Sequence, residues 1–499
     1  MKKQNKKYIL AIDQGTTGSS LSLVNERGEI IAQAEQDFKQ IYPKPAWVEH
    51  QPKDIWDSIE KNISKVIRLA RIKTSQIAAI GITNQRESIV LWDKKTSKPL
   101  YNALVWQDRR TADFCQALKK AGHEALIKKK TGLVIDPYFS ASKIHWLLEN
   151  IAGVRQRALQ GEIRVGTIDS FLVDRLTSGT SHITDVSNAS RTQLMNITSC
   201  NWDEELLKIF SIPKNILPQI VSSSGRLALT KGLKVLPDGI AIAGIAGDQQ
   251  AALFGQNCLN IGEAKCTFGT GSFLLINTGE KVLRSHSGLL TTVAWRLSDQ
   301  EEPVYALEGG AFMCGAAVQF LRDQLGFIKS SGEVEALAKK VRDSQGVEFV
   351  PALTGLGAPY WDAGARGLIC GLTRGSTRAH IARATLEAMA LQNTEILLAM
   401  QKDLGHELRS VRVDGGASAN NLLMQLQADY LGTQVIRPRN IESTSLGAAY
   451  LAGLGIGLWT RADLQKIWKI DRRFTAKISR EQRACRLALW QRAVQRSLQ

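Results

Sequence analysis

The chain has 499 residues, of which 44% are apolar and 22% are charged, the composition of an ordinary folded protein. That length exceeds what one compact core usually organises, so two large domains are expected. No segment approaches the roughly 18–20 apolar residues that span a bilayer, so the sequence predicts no transmembrane helix.

The formal net charge is +17, and much of the excess lies late in the chain. From Arg461 onward there are eleven lysines and arginines against three acidic residues. We interpret this segment as solvated helix faces; contact with a nucleic acid or an anionic membrane is the alternative. Nucleic-acid binding is not expected, because no aromatic-and-basic ladder or zinc-finger pattern accompanies the charge.

The seven cysteines are odd in number and widely spaced, and no two of them form a C-x-x-C pair. Neither a disulfide framework nor a zinc site is therefore indicated. The pattern predicts reduced, mostly buried thiols in a cytoplasmic protein.

The first apolar run, residues 8–12, follows a lysine-rich start. Five apolar residues are fewer than the ~7–15 of a signal-peptide core, so a buried strand is predicted instead. Alternation over residues 20–24 and a turn at Gly28 predict antiparallel strands. Apolar residues at helical spacing over 53–70 predict a helix, and residues 77–82 predict another buried strand.

The second half repeats this arrangement, beginning with a strand-like run at residues 241–245. A strand, a Gly/Thr turn and a strand occur near residues 8–24 and again near 264–277. Two similar turns facing one site are typical of a duplicated α/β protein with a cleft. We predict an N-terminal domain over residues 1–255 and a C-terminal domain over 256–499.

The first of these turns carries residues suited to phosphate. Gly15 lets the backbone approach a ligand closely, Thr16 and Thr17 supply hydroxyl and amide donors, and Asp13 can hold a hydrated Mg²⁺. The chain contains no G-x-x-x-x-G-K-[ST] loop, so this cradle is unlike a P-loop. Taken alone, the turn is equally typical of an ordinary polar connection.

Two later segments add to this pattern. Residues 267–271 form a second Gly/Thr turn, for which a plain β-hairpin is the alternative. Residues 413–421 carry consecutive glycines between a predicted strand and a predicted helix. A flat ligand can lie on such a backbone, and Asn420 can bind an adenine edge; a helix-capping loop is the alternative.

The order of these three elements resembles that of the actin-like ATPase superfamily. Residues 138–150 are similar to the first signature of the FGGY carbohydrate kinases, and residues 367–372 with 380–387 are similar to the second. The resemblance implies an α/β fold of two ribonuclease-H-like domains flanking a cleft for ATP and substrate. Trp146 and Leu147, within the first signature, are interpreted as core residues rather than catalytic ones.

The similarity is densest to the glycerol-phosphorylating members of that family and extends from about residue 8 to 455. The segments that carry it are residues 41–50, 80–87, 105–111, 132–138, 244–255 and 354–361. The resemblance implies transfer of phosphate from ATP to glycerol in the cytoplasm, by a homodimer or a homotetramer.

The residues themselves fit this chemistry. Arg86 and Glu87 place a pure donor beside a pure acceptor at a strand end, as a polyol requires; a solvated strand end is the alternative. Asp248 is the candidate general base for the attacking hydroxyl. Its position before an apolar run is also typical of a helix N-cap.

The resemblance assigns a role to each matching position. For glycerol it implies Arg86, Glu87, Tyr138, Asp248 and Gln249, with Trp106 and Phe273 as an apolar wall. For ATP it implies Thr16, Thr17, Gly18, Thr270, Gly315, Gln319, Gly416 and Asn420. For Mg²⁺ it implies Asp13 and Asp248. A kinase for another polyol or ketose and a non-catalytic actin-like scaffold remain as alternatives.

The chain departs from the pattern of those members at several positions. Ser20 stands where many carry an arginine, which puts nucleotide affinity in question because serine cannot supply that charge. Ser88 replaces a usual threonine. Residues 230–235 lack the glycine-rich form tied to inhibition by a sugar phosphate, so such inhibition is not predicted.

Overall fold

The computed structural model describes residues 7–362 and 364–498. The strands of its first half are β1 (Tyr8–Gln14), β2 (Gly18–Asn25), β3 (Ile30–Asp37), β4 (Gln40–Ile41), β5 (Glu49–His50), β6 (Ile77–Asn84), β7 (Ile89–Asp93), β8 (Ala103–Leu104), β9 (Ile163–Thr167), β10 (Ile183–Asp185), β11 (Met195–Asn196), β12 (Asn201–Trp202), β13 (Gln219–Val221), β14 (Ser224–Leu229) and β15 (Ala241–Gly247). The helices are α1 (Pro52–Ala70), α2 (Ala112–Lys120), α3 (Glu124–Thr131), α4 (Ser140–Asn150), α5 (Val154–Leu159), α6 (Ile168–Leu176), α7 (Val186–Ser190), α8 (Glu204–Ile209) and α9 (Asp248–Gly255).

The central sheet of the first half has the order β14-β15-β6-β1-β2-β3. The β1–β2 and β2–β3 pairs are antiparallel, whereas β6 and β15 add parallel to β1. The carboxyl ends of β1, β6 and β15 therefore meet at one edge, where Asp13, residues 84–87 and Asp248 lie. Ligands of open α/β sheets bind at such edges.

The strands of the second half are β16 (Ala264–Phe268), β17 (Ser272–Gly279), β18 (Leu290–Trp295), β19 (Val304–Ala311), β20 (Glu348–Val350), β21 (Leu368–Cys370), β22 (Ser410–Asp414), β23 (Gln434–Pro438) and β24 (Ile470–Phe474). Its helices are α10 (Gly315–Asp323), α11 (Glu333–Ala338), α12 (Arg378–Leu404), α13 (Asn421–Leu431), α14 (Ser443–Gly455), α15 (Arg461–Ile467) and α16 (Arg480–Gln495).

The central sheet of the second half repeats the pairing of the first. Its order is β18-β19-β17-β16-β22-β23-β24. Strands β16, β17 and β19 pair antiparallel, and β22 and β23 continue parallel from β16. The hairpin β16–β17 thus corresponds to β1–β2, which confirms the predicted duplicated α/β fold.

A smaller antiparallel sheet, in the order β4-β5-β8-β7-β9, is appended to the first half. Its strands and the surrounding helices α2–α5 form a separate apolar cluster around Ile89, Ile144 and Leu147. This extension carries Trp106, just after β8, and Tyr138, just before α4. It therefore supplies the aromatic side chains on one side of the sheet edge.

The apolar periodicity of the sequence explains the main core. Helix α1 buries Ile55, Ile59, Ile63 and Val66 on one face, which confirms the helix predicted over 53–70. Ile9, Leu10, Ala11 and Ile12 of β1 are fully buried, as expected for a strand covered on both faces. Leu147 is buried and Trp146 is half-buried.

The cysteines and the basic segment were predicted with different success. All seven cysteines are free, and five of them are buried, as predicted. The segment after Arg461 is only partly helical, because Arg472 and Arg473 lie on β24. Nine of its eleven basic residues are exposed, whereas Arg483 and Arg486 are half-buried, and Arg486 pairs with Glu348 at 2.6 Å. Within the described residues, no helix has the length and apolarity needed to cross a membrane.

Helix α14 belongs to the second half but packs on the first-half sheet. Glycines make this contact close, since a Cβ on Gly81 of β6 would lie 2.2 Å from the Ala448 carbonyl oxygen. A Cβ on Gly447 of α14 would lie 1.8 Å from the Ala251 carbonyl oxygen of α9. Real side chains do not approach so closely, so the two halves are joined here by backbone-to-backbone packing.

We expect the substitution Gly447→Ala to lower the free energy of unfolding by about 1–3 kcal/mol, because the added methyl group overpacks the contact. The better helix propensity of alanine, about 1 kcal/mol, opposes this loss. Urea unfolding measures the difference. Gly332→Ala is the matched control, since its Cβ would meet no atom within 4 Å. Equal stability of the two variants would contradict the role assigned to the contact.

Candidate active site

The turn after β6 places Arg86 and Glu87 in the interior. Arg86 is 3% exposed and Glu87 is 1% exposed, so the alternative of a solvated strand end is wrong. Glu87 has a φ of +62°, a left-handed conformation that non-glycine residues adopt rarely. Such strain is common at functional sites.

Five charged side chains form one cluster at this edge, hereafter the charge cluster: Arg86, Glu87, Arg191, Asp248 and Glu308. Arg86 donates two hydrogen bonds to Glu308, at 2.6 and 2.8 Å, and its Nε lies 3.1 Å from Asp248 Oδ1. Arg191 donates to Glu87 at 2.6 Å and to Glu308 at 3.1 Å. The cluster is thus paired across the two halves.

Burial and pairing set the protonation of these carboxyls in opposite directions. Burial alone would raise the pKa of Glu308, but Arg191 and Arg86 outweigh it and lower the pKa to about 2. Burial raises the pKa of Glu87, with partial compensation by Arg86 and Arg191. Glu308 is therefore firmly ionised, and Glu87 is the weaker acid of the two.

Asp248 is the first residue of α9, not its N-cap, which is Gly247. The predicted alternative of an N-cap is therefore wrong by one position. The Asp248 side chain is 29% exposed, so a ligand can contact it. Removal from water raises the pKa of Asp248, and Arg86 and Lys265 partly oppose that rise. A carboxyl with a raised pKa is suited to accepting a proton.

Gln249 follows Asp248 and is held by a buried lysine. The Nζ of Lys265 donates to Gln249 Oε1, to Thr267 Oγ1 at 2.8 Å and to the Phe273 carbonyl at 3.2 Å. Burial lowers the pKa of Lys265. The lysine thus links the strand end of the first half to the hairpin β16–β17 of the second.

Three aromatic rings line the apolar side of the site. Trp106 contacts Tyr138 edge to face, with ring centroids 5.6 Å apart, and Phe273 at 6.4 Å. The indole Nε1 of Trp106 donates to Thr16 Oγ1 at 2.9 Å. All seven residues predicted for glycerol therefore lie within one connected set of contacts.

Sequence reasoning missed three charged residues of this set: Arg191, Lys265 and Glu308. For Lys265 and Glu308 the signal is a charge inside an otherwise apolar stretch, in residues 264–266 and 304–308, whereas Arg191 lies in a polar stretch and carries no such signal. Charged side chains in buried strands are almost always paired. The sequence does not reveal the partner, since Arg86 and Glu308 are 222 residues apart.

A cavity of about 420 Å³ lies in the second half, hereafter the second-half cavity. Its lining includes all five residues of the second half that were predicted to bind ATP: Thr270, Gly315, Gln319, Gly416 and Asn420. Leu386, Met389 and Val318 give it an apolar wall, which suits a flat ring. Asn420 Oδ1 accepts from Leu423 N at 2.9 Å, so this residue also caps α13.

The other three predicted ATP residues lie outside the lining of that cavity. Thr16 and Thr17 form the turn between β1 and β2, and Gly18 is the first residue of β2. Thr16 uses its hydroxyl oxygen to accept from Trp106, and Thr17 is exposed. Packing disfavours a side chain at Gly18, because a Cβ there would lie 2.8 Å from the backbone carbonyl oxygen of Gln36. The contact seen for Gly18 is therefore with β3.

Asp13 is the penultimate residue of β1 and is paired with Ser20 of β2. Burial and the carboxylates of Asp248 and Glu442 raise the pKa of Asp13 to about 8. The Ser20 hydroxyl accepts a hydrogen bond from Gln33 Nε2 at 3.0 Å, so the contact at this position is between neutral groups.

The carboxylate of Asp248 contributes to the raised pKa of Asp13, and a cation bound near both groups would relieve this repulsion. Among the described residues, no group of three or more His, Cys, Asp or Glu side chains could hold a metal. Mg²⁺ needs no such group, since it commonly takes one or two carboxylates together with phosphate oxygens and water.

Two duplicated domains, a nucleotide-sized cavity and a polar cluster between them define a phosphotransferase of the actin-like class. Residues 8–255 match the N-terminal domain of the FGGY family of carbohydrate kinases, and residues 264–456 match its C-terminal domain. The chain belongs to the FGGY family of carbohydrate kinases.

Relatives that match over nearly the whole chain include glycerol kinases. The chain is 60% identical over 490 residues to the glycerol kinase of Bdellovibrio bacteriovorus, covering 98% of this chain and 99% of that protein. It is 51% identical to the glycerol kinase of Myxococcus xanthus, with the same coverage. The crystal structure of Plasmodium falciparum glycerol kinase with ADP matches with a TM-score of 0.91 and 38% identity over 99% of both chains.

We expect Asp13→Asn to stabilise the metal-free, ligand-free protein by about 1–3 kcal/mol at pH 8, because it removes a poorly compensated buried carboxylate. The folded pKa of about 8 exceeds the ~3.9 of an unfolded aspartate. Stability therefore falls as pH rises between these values, and the variant lacks that loss.

Urea unfolding at pH 5 and pH 8 in the presence of a chelator measures this effect. The stability gain should be larger at pH 8 than at pH 5. Asp113→Asn, at an exposed helical position, is the control and should show no such difference. A variant no more stable than the parent at pH 8 would contradict the assignment of Asp13.

Proposed function

We propose that the chain transfers the γ-phosphate of ATP to a terminal hydroxyl of glycerol, giving sn-glycerol 3-phosphate and ADP. The observation that carries this proposal is the buried pair Arg86 and Glu87, with the partly exposed Asp248 beside them and a compact aromatic wall. Full-length identity of 60% to a glycerol kinase supports the same substrate.

The site suits a small neutral polyol. Arg86 and Glu87 offer hydrogen-bond donors and acceptors to adjacent hydroxyls, and Trp106, Tyr138 and Phe273 cover a short carbon chain. Because the polar groups are buried, a ligand that leaves them unpaired binds weakly. Bulky rings also leave little room for a longer or anionic sugar.

Asp248 accepts the proton of the attacking hydroxyl in this proposal. Phosphoryl transfer depends mainly on positioning and on charge stabilisation. Thr16, Thr17 and Gly18 would bind phosphate from one domain, while the second-half cavity holds the nucleoside. Mg²⁺ held by Asp13 and Asp248 would neutralise phosphate charge. Approach of the two domains would exclude water from the reacting groups.

We also propose the domain boundaries, the cellular compartment and the oligomeric state. The domains extend over residues 1–255 and 256–499, supported by the junction between the two family matches. A cytoplasmic homodimer or homotetramer is proposed from the resemblance alone, and size-exclusion chromatography with light scattering would test the oligomeric state.

An ADP-release assay with Mg-ATP and a panel of glycerol, dihydroxyacetone, xylulose, ribulose and gluconate tests the substrate. We expect strong glycerol-dependent turnover and little turnover with the larger sugars. Turnover confined to another member of the panel would support a kinase activity but reject glycerol as the substrate. No turnover with any member would favour the alternative of an actin-like scaffold.

Substitution of Asp248 by Asn tests the mechanism. We expect turnover to fall by about 10²–10⁴-fold, the usual contribution of a general base, while ADP binding remains within a few-fold of the parent. Isothermal titration with ADP and the coupled assay measure the two effects. Asp113→Asn serves again as the control, and full activity in Asp248→Asn would refute the role of this residue.

A further inference from the structure

Glu308 is the contribution of the second half to the charge cluster. It lies within β19 among apolar and glycine residues and is 2% exposed. Both of its arginine partners, Arg86 and Arg191, come from the first half. Its contacts therefore exist only while the two halves are together.

The contacts of Glu308 determine the orientation of the Arg86 guanidinium group in the site. The two carboxylate oxygens of Glu308 engage Nη1 and Nη2 of Arg86 at 2.6 and 2.8 Å. This bidentate geometry fixes the plane of the guanidinium group. In that orientation Nε faces Asp248 at 3.1 Å, and Nη1 also lies 3.3 Å from Gln250 Oε1.

Glu308 also acts on Glu87 through Arg191. The Nη2 of Arg191 donates to Glu308 while its Nε donates to Glu87 Oε1. Arg191 further lies over the ring of Tyr138, with 5.8 Å between its guanidinium carbon and the ring centroid. One carboxylate of the second half thus orients the donor, the acceptor and one aromatic side chain of the first half.

Removal of Glu308 would leave the charge cluster with an excess of positive charge. Arg86, Arg191 and the nearby Lys265 carry three positive charges, and Glu87, Asp248 and Glu308 carry three negative charges when ionised. Without Glu308, two buried guanidinium groups compete for Glu87 and Asp248. Those two carboxylates would then be drawn to the arginines and away from a ligand.

We propose that Glu308 is a positioning residue for the polyol, holding Arg86 and Arg191 so that Arg86 and Glu87 can bind the substrate only when the two halves are assembled. This inference rests on the proposed function. Glu308 does not line the second-half cavity, so its effect is confined to the polyol and does not extend to the nucleotide.

The chain offers a matched control for the stability of such a pair. Glu348, on β20 of the same half, accepts two hydrogen bonds from Arg486 at 2.6 and 3.0 Å and is 8% exposed. Its pair is nearly the same in geometry but belongs neither to the charge cluster nor to the second-half cavity. Glu348→Gln therefore reports the structural effect of losing a buried carboxylate charge.

The test compares Glu308→Gln and Glu348→Gln in the full-length protein, with steady-state kinetics for glycerol and ATP and with thermal unfolding. For Glu308→Gln we expect the KM for glycerol to rise tenfold to a hundredfold and the KM for ATP to change less than twofold. For Glu348→Gln both KM values should stay within twofold, with a similar loss of Tm. Glu308→Asp, which keeps the charge on a shorter side chain, should give an intermediate KM for glycerol.

The outcomes separate the inference from the function on which it rests. Absence of glycerol-dependent turnover in the parent protein would reject the proposed function itself. Turnover in the parent with equal KM values for Glu308→Gln and Glu348→Gln would reject only the positioning role. A parallel rise of both KM values would also reject it. If Glu308→Gln does not fold, a KM for glycerol unchanged in Glu308→Asp would overturn the inference.

Discussion

Burial of opposite charges between the two halves is the constraint on which the site depends. An ionised side chain removed from water is stable only when a partner compensates it, and here each half holds part of the compensation. Arg86 and Arg191 of the first half pair with Glu308 of the second, and Lys265 of the second half donates a hydrogen bond to Gln249 of α9. The charges proposed to bind the polyol therefore also join the two halves.

The polar groups for the two ligands occupy different surroundings. Those proposed for the polyol are charged or amide side chains, mostly buried and joined by hydrogen bonds and ion pairs. The second-half cavity is lined mainly by glycine backbone and apolar side chains. A polyol is recognised through its hydroxyls and requires directed hydrogen bonds. A nucleoside ring is held largely by surface contact, so a shaped backbone suffices.

Much of this structure could be predicted from local pattern. Gly15 and Gly271 mark the two hairpin turns, and alternation or continuous apolar runs mark β1 and β6, because these features depend on neighbouring residues. The partners of Arg86 could not be predicted, since the pairing of distant strands determines them. The N-cap alternative for Asp248 was wrong because helix ends are set by backbone geometry that the sequence leaves open by a residue.

The close seating of α14 on the first sheet limits how the protein can move. The helix begins beside Asp13, where Ser445 Oγ lies 3.3 Å from the Asp13 carboxylate, and its glycines leave no space for sliding. Rotation of one half about this helix would preserve the contact, whereas sliding along it would not. During such a rotation, residues near the helix axis, including Asp13, would keep their distances from one another. The outer edges of the two halves would separate, so a nucleotide would enter without displacing the carboxylates at the base of the cleft.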